Sequence, residues 1–403
     1  MAESAAAEDT ISIVQRGNIK TIEATLRKQW RLGQNIVLCW SATDNGVLML
    51  MVPHYFLGNY TASRGGEENQ SRELFVRRLI SGRRKKDRDE FFKVSEKLGV
   101  SANFIKLPAP LENQSAVNAA VDEIVRRYGI SFVDCRAVLL FDIAQFSLYT
   151  PFEQASQLNS LAYSMNSAYN KLLTRGIEVN FARTTTGDGY YVWNRDSRPS
   201  ANEDLLHFLL LVIADNAMAR KASRGNTVPV IRTAFHIGSH YELYQAEGVN
   251  PTVFSYIVGD VTIELARMVD LARPGQVFMG DFKVELPAPG KDDPNDTVTL
   301  DTLGFIDRCN ADIDRVAGVQ VAGQAVNEVR LRVSSVEQDG RQRVRRFRLT
   351  DKHGLTRNAF NLEIEFATAE GEWHLGLFGD QLASAERAME KPAPSSSKSV
   401  CEE

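Results

Sequence analysis

Two stretches, Ala137-Val-Leu-Leu-Phe-Asp142-Ile-Ala-Gln-Phe-Ser147 and Thr184-Thr-Thr-Gly-Asp188-Gly-Tyr-Tyr-Val-Trp193, decide how this chain folds. The first is an apolar run ending on Asp142, the pattern of a buried strand. The second places Asp188 in a Gly-Asp-Gly turn that opens an aromatic-rich strand. About forty residues of helix and strand separate them. A carboxylate at each of two neighbouring strand ends suits hard divalent cations, which take oxygen ligands.

Working outward, the pattern predicts a strand over 132–142 and a long helix from Pro151, with Ala155, Leu158, Leu161 and Met165 as its buried stripe. Strands follow at Ile177–Ala182 and Tyr190–Trp193, on either side of the Gly187-Asp-Gly189 turn. The helix Leu205–Ala219 is apolar on most sides and so is expected at a core or a subunit contact. Strands at Val228–Ile237 and Tyr256–Val258 lead to Gly259-Asp260, which caps a helix to Leu271, and Ala272–Met279 turns into one more strand. This β-α-β-β-α-β order is that of a ferredoxin-like α+β core.

On the N-terminal side the expectation is a helix over 10–34 and a hairpin around Asp44-Asn-Gly46. A loop over Asn59–Ser71, a charged helix over 72–98 and a helix over 114–128 complete this region. The cluster Arg83-Arg-Lys-Lys86 reads as a solvated helix face or a grip on a phosphate-rich partner; the acids Asp87, Asp89 and Glu90 that follow favour the first. On the C-terminal side, 281–300 reads as a Pro/Gly/Asp-rich loop and Asn327–Leu377 as β-rich. The last twenty residues, with Pro392-Ala-Pro-Ser-Ser-Ser-Lys, read as disordered. The expected division is a 1–130 α/β extension, a 131–325 core, a small β-rich domain over 326–382 and a tail over 383–403.

With 43% apolar and 24% charged residues, the 403-residue chain has ample material for more than one core. A net charge of −4 supplies no general pull toward nucleic acid or anionic membrane. Cys39, Cys135, Cys309 and Cys401 are scattered, which favours structural thiols in a reducing compartment. The start Met1-Ala-Glu-Ser-Ala-Ala-Ala-Glu-Asp is acidic where a secretory signal is basic, and the longest apolar run, Phe208–Ala214, is far shorter than a membrane span. The expectation is a cytoplasmic protein with no stable membrane association.

Three pieces together resemble the catalytic domain of the class III nucleotide cyclases, the adenylate and guanylate cyclase superfamily. They are Phe141-Asp-Ile-Ala-Gln-Phe-Ser147, Thr185-Thr-Gly-Asp-Gly189, and Val258-Gly-Asp-Val-Thr-Ile-Glu-Leu-Ala-Arg267 with its continuation Ala272-Arg-Pro-Gly-Gln-Val. The resemblance covers about residues 130–282. It implies that a ribose 3′-oxygen attacks the α-phosphorus of its own triphosphate and expels pyrophosphate. Asp142, Asp188 and the carbonyl of Ile143 would then hold two divalent ions, Mn²⁺ or Mg²⁺. The backbone of Phe141, Ile143, Ala144, Gln145 and Phe146 would cradle the triphosphate with Ser147 as a further donor, beside Gly187 and Asp260. Arg267 matches the arginine that stabilises charge on the transferring phosphoryl group. The resemblance also implies a head-to-tail homodimer with two composite sites.

The chain departs from the family in instructive places. Ile263 stands where an asparagine usually orients the ribose, and Val319-Gln-Val-Ala-Gly323 stands in place of a phosphate-binding lysine. Lys352, in Asp351-Lys-His-Gly354, is either a replacement for that lysine or part of a polar turn. At the base-reading positions the chain has Thr184, preceded by Arg183, and Tyr256, in place of either purine pair. A tyrosine narrows the pocket and an arginine donates to carbonyl oxygens, which favours a pyrimidine. This pattern is similar to the bacterial pyrimidine cyclases of anti-phage defence, and implies a cyclic UMP or cyclic CMP signal read by a separate effector. An adenylate cyclase with an atypical pocket and a non-catalytic nucleotide sensor are the alternatives; nucleic-acid binding ranks last.

Overall fold

The computed structural model describes residues 11–31, 33–62, 66–196, 198–246, 253–288, 296–338, 341–350, 354–379 and 381–382. The chain divides into two compact units, Met1–Asp134 with Ser239–Thr262, and Cys135–Gly238 with Ile263–Glu403.

The first unit opens with α1 (Ile13–Trp30), whose N-terminus is capped by Ser12 accepting from Gln15 N. Strands β1 (Asn35–Thr43) and β2 (Gly46–Pro53) form the expected hairpin, closed by the Thr43–Gly46 pair. After α2 (Phe56–Ala62), α3 (Glu67–Ile80) and α4 (Arg88–Leu98), β3 (Ala102–Lys106) pairs with β2, and α5 (Ser115–Arg127) completes the series. One face of this sheet packs Trp40, Val47, Met49 and Ile105 with Ile22 and Leu26 of α1 and Val121 of α5.

Two expectations fail in this unit. The segment 59–71 is mostly helical: Phe56 and Tyr60 stack at 6.1 Å in α2, and Glu67 and Glu68 favour the first turn of α3. Nor is 72–98 a single helix, because α3 stops at Ile80 and Gly82 turns the chain at φ 63°. The basic cluster therefore lies in an extended segment beside β1, with Trp40 N donating to Arg84 O at 3.0 Å and Lys86 N to Trp40 O at 2.8 Å. Arg84 is fully buried and donates to Leu38 O at 2.9 Å, Ile130 O and the Ser131 hydroxyl. Asp122 accepts from Arg84 N, Lys85 N and the Trp40 indole. Lys86 pairs with Glu90 at 2.9 Å, so the cluster is largely a structural rivet.

The second unit follows the predicted order. Strand β4 (Ile130–Ile143), which begins in the first unit, leads to α6 (Pro151–Thr174), whose start carries a Thr150/Glu153 capping box. Then come β5 (Phe181–Thr185), β6 (Gly189–Asn194), α7 (Ala201–Ala222) and β7 (Ile231–Ala246). After β8 (Val253–Val258), which belongs to the first unit, the chain continues through α8 (Asp260–Leu271) and β9 (Val277–Gly280). The chain is thus a mixed α+β fold.

Strand β5 starts four residues later than expected, while Ile177 and Val179 are buried without joining a strand. Leu161 and Met165 line the buried stripe of α6 with Ala168 and Leu172, but Ala155 is exposed because the buried face passes through Gln157 there. Every residue of α7 from Ala201 to Ala214 is buried. In β4, Cys135 has a left-handed φ of 47°; Asn202 of α7 bridges this kink, donating to Cys135 O at 3.1 Å and accepting from Ala137 N at 2.8 Å.

The expected 281–300 loop instead contains an antiparallel pair, β10 (Lys283–Pro287) and β11 (Thr297–Asp301), while 289–295 lies outside the described residues. The alternation of Val284 and Leu286 toward the core outweighs the turn-forming composition. Helix α9 (Thr302–Ala311) precedes β12 (Gln320–Val321), β13 (Gln324–Val333), β14 (Ser335–Gln338) and β15 (Arg341–Val344). The series ends with β16 (Arg346–Thr350), β17 (Thr356–Thr368) and β18 (Gly371–Leu375), so 327–377 is β-rich as expected. The main sheet runs β12-β13-β17-β9-β7-β4-β6-β5, with β16 and β18 on β17, so the C-terminal strands join it where β17 meets β9. Its core includes Leu139, Phe141, Leu161, Met165, Phe208, Phe235, Phe305 and Phe366. The 383–403 tail and Lys352 lie outside the described residues.

Candidate active site

The two acids meet through backbone pairing. Asp142 stands opposite Gly189 in the antiparallel β4–β6 ladder, and Ile143 N donates to Asp188 O at 2.9 Å. Tight pairing requires glycine at 189, since a Cβ there would stand 1.9 Å from Phe141 O. Gly187 has φ 102°, and Thr186 reaches across the turn to Asp188 Oδ1 at 3.2 Å. Phe141 and Ile143 point into the core and anchor the strand end.

Asp142 is 8% exposed and accepts from Arg232 of β7, with the Nε contact at 2.7 Å. Burial pushes its carboxyl above the usual range, the Arg232 hydrogen bond and charge pull it back, and Asp188 and Asp270 add to the rise. Asp270 of α8 also raises the Tyr191 phenol, after the larger effect of burial. One arginine thus faces a group of carboxylates, and further positive charge would relieve it.

Beyond Asp142 the chain turns sharply. Ile143 N is taken by Asp188 O and Ala144 N by Val230 O at 2.9 Å. Gln145 then enters the left-handed region at φ 59°, and Phe146–Leu148 forms one 3₁₀ turn. Among the described residues, Gln145, Phe146 and Ser147 have no acceptor for their main-chain N–H groups. A left-handed residue followed by a right-handed turn aims consecutive N–H groups into one concavity, a nest suited to anions. Of the expected cradle, Ile143 and Ala144 thus have their N–H groups already taken, and the donor set begins at Gln145.

The remaining positions are distributed. Arg183 is exposed on β5, with its guanidinium 5.7 Å from the Tyr190 ring centre, and Thr184 is half-buried opposite Tyr191. Tyr256, half-buried opposite Leu243, and Asp260, exposed at the start of α8, belong to the first unit. Arg267 lines a hollow with Glu264, Met268, Leu271, Leu349, Leu355 and Arg357, in which Arg357 and Glu264 form an ion pair. Among the described residues no three His, Cys, Asp or Glu side chains gather as metal ligands.

Arg232 and Asp270 were not singled out from the sequence. The available signal for Arg232 was a lone charge inside the apolar run Val228–Ile237; for Asp270 it was its place one turn after Arg267.

No protein-family model and no curated protein matches the chain. Among solved structures it is similar to the adenylyl cyclase CyaB from P. aeruginosa, at 10% identity and a TM-score of 0.33 over 58% of this chain and 95% of that one. It is similar to the guanylate cyclase domain of RhGC from Catenaria anguillulae in complex with GTP, at 15% identity and a TM-score of 0.30 over 42% and 95%. A non-canonical dimeric guanylyl cyclase domain of RhoGC from the aquatic fungus Blastocladiella emersonii matches at 16% identity and a TM-score of 0.30 over 39% and 90%.

Proposed function

We propose that this chain is a metal-dependent nucleotidyl cyclase that converts a pyrimidine nucleoside triphosphate, UTP in preference to CTP, to its 3′,5′-cyclic monophosphate and pyrophosphate. The observation that supports this reading is the juxtaposition of Asp142, opposite Gly189, and Asp188, bonded by Ile143 N, at the β4–β6 end, beside the unclaimed N–H groups of 145–147. Carboxylates that crowd one another and a neighbouring anion nest together match a metal–triphosphate ligand.

The donor set fits divalent ions: two acidic side chains and the carbonyl of Ile143 supply hard oxygens, and the raised Asp142 carboxyl gains from a nearby cation. Bound Mn²⁺ or Mg²⁺ would supply acidity at the attacking 3′-hydroxyl and charge neutralisation on the phosphates. The chain's own part is positioning. Asp142 and Asp188 orient the reacting end, and the 145–147 amides seat phosphate oxygens. Arg232, which holds the Asp142 carboxylate at 2.7 Å, would orient it toward a bound cation. Arg183 and Tyr256 read the base, and Arg267 of a second copy completes each of two shared sites. The 1–130 region, the β-rich 326–382 segment and the 383–403 tail flank this catalytic core, and Lys352 is a further phosphate-binding candidate. The product serves as a second messenger in anti-phage signalling, read by a separate effector in the cytoplasm.

The test is a product assay with Mn²⁺ and each of the four ribonucleoside triphosphates, using Asp142→Ala as the blank. A cyclic pyrimidine nucleotide absent from the blank is expected. A cyclic purine would overturn the reading of Arg183 and Tyr256, and binding without product would favour a sensor. Mixing Asp142→Ala with Arg267→Ala chains should restore activity by forming one intact site per dimer; no recovery would count against shared sites.

A further inference from the structure

The chain passes between its two units at three places: after Asp134 in β4, after Gly238 in β7 and after Thr262 in α8. Each crossing strand or helix carries a residue of the candidate site. Asp142 lies eight residues beyond the first crossing, Arg232 six residues before the second, and Arg267 five residues after the third.

On the first-unit side, a side chain of α3 holds the first of these segments, which in turn packs on the second. The Arg77 guanidinium lies 5.0 Å from the ring centre of Phe132 in β4. The Phe132 ring in turn lies 5.1 Å from that of Tyr241 in β7, at a 60° tilt. Arg77 also pairs with Glu73 one turn earlier at 2.5 Å. Burial works against the Arg77 charge, but Tyr241 and Glu73 more than offset it and raise its pKa above the ordinary guanidinium value. Phe132 and Tyr241 both pack on the cluster that contains Val76, Leu79 and Phe91. A cation held over one ring, which itself packs at a tilt on the next, ties α3 to β4 and through it to β7.

The third segment is fixed through the hairpin. Tyr241 stands opposite Val258 at the base of the β7–β8 pair, while Leu243 stands opposite Tyr256. Gly259 follows with φ 151° and lies so close to β7 that a Cβ would stand 2.9 Å from His240 Cα. Thr262 then ties the first turn of α8 back, its N–H and hydroxyl both donating to Gly259 O, at 3.1 and 2.8 Å. Tyr241 is therefore directly joined to the segment that carries Tyr256 and launches the helix of Arg267.

We propose that Arg77, acting through Phe132 and Tyr241, is a positioning residue for the candidate active site, and that the N-terminal unit thereby sets the placement of the β7–β8 hairpin and the start of α8. Loosening this clasp would free the segment that carries Tyr256 and the first turn of α8. The kinetic half of this proposal rests on the cyclase reading; the structural half does not.

The full-length chain, Arg77→Gln and Phe132→Leu are compared by hydrogen–deuterium exchange and by product formation with the four nucleotides. Phe132→Leu removes the ring that links Arg77 to Tyr241 while keeping an apolar side chain, and carries the test if Arg77→Gln fails to fold. Exchange at 253–262 should rise roughly 5- to 30-fold, with 297–301 unchanged, as expected for a local coupling of ordinary size. Turnover should fall by a similar factor, with a smaller change in KM and a lower ratio of preferred to non-preferred nucleotide. Unchanged exchange at 253–262, or a uniform increase across the chain, would overturn the proposal. If wild-type protein forms no cyclic product, the cyclase reading fails, and the exchange pattern alone decides whether the clasp holds the hairpin.

Discussion

Two groups of buried charge lie in the second unit, and they are built on opposite plans. On α7, Glu203 pairs with Arg308 at 2.6 Å, and Asp204 pairs with Arg315 at 2.9 Å and lies 3.9 Å from Arg198. Arg315 also meets Asp312 at 2.8 Å, so three acids face three arginines. At the end of β4, Asp142 has Arg232 as its hydrogen-bonded cation, while Asp188 and Asp270 add negative charge nearby. Burial pushes the Glu203 and Asp204 carboxyls up, and the α7 group supplies the counter-charges internally. Among the described residues the β4 group sets one arginine against three carboxylates. A matched set fastens elements together, whereas an unmatched one is poised to take a charged ligand.

The sharpest way to break this comparison is Arg308→Ala. It would leave Glu203, 2% exposed, without its arginine, and should cost about 3–5 kcal/mol in chemical denaturation. Asp142→Asn should cost far less stability, because it removes a member of a crowded carboxylate group. It should nonetheless lower product formation on the order of 10²–10³-fold. In the same preparations Mn²⁺ should raise the melting temperature of the wild type and leave Asp142→Asn unmoved. Equal stability losses for Arg308→Ala and Asp142→Asn would erase the distinction between the two groups.

A smaller effect concerns His207, fully buried beside the α7 pairs and held by burial down at about 4, against an ordinary 6.5. Above pH 6.5 both folded and unfolded chains carry the neutral ring. Between 6.5 and 4 the unfolded chain takes up a proton that the fold refuses, so stability falls as pH falls through this window. The full contribution is about 3 kcal/mol. Glu203 and Asp204, with raised carboxyls, act in the opposite sense, so the measurement is the difference in acid-limb slope between wild type and His207→Asn. Identical slopes would show that His207 is protonated equally in both states. The smallest change expected is in Glu264→Gln, where the partly exposed Arg357 pair should contribute no more than about 1 kcal/mol to stability.

The placement of Asp142 and Asp188 at neighbouring strand ends was legible because each carboxylate ended or opened a segment whose period was clear. The apolar run Ala137–Phe141 reads as a buried strand, and Gly187 and Gly189 as the frame of a turn. Arg84 was misread for a physical reason: burying a guanidinium requires acceptors, and these come from Leu38, Ile130 and Ser131, far away in the chain. Four basic residues in a row carry no mark of that. Arg232 was hidden similarly, since one charge in a strand reads as solvent-facing until its partner 90 positions earlier is placed. The β10–β11 pair was missed because Pro, Gly and Asp around it masked a short alternation of Val284 and Leu286 against Val298 and Leu300.

Strand β9 bears on how the molecule is made. Its four residues are all buried, and its neighbour on one side, β17, pairs Ala359 with Gly280 across 79 positions of sequence. At elongation speeds of about 5–20 residues per second, roughly 4–16 seconds pass on the ribosome before that neighbour is synthesised. Throughout this interval a hydrophobic sheet edge next to β7, the strand of Arg232, stands open to other nascent chains. Expression yield should therefore depend on elongation speed over 281–359, and messages cut short before Ala359 should give insoluble product even though every residue of the acid pair has been made.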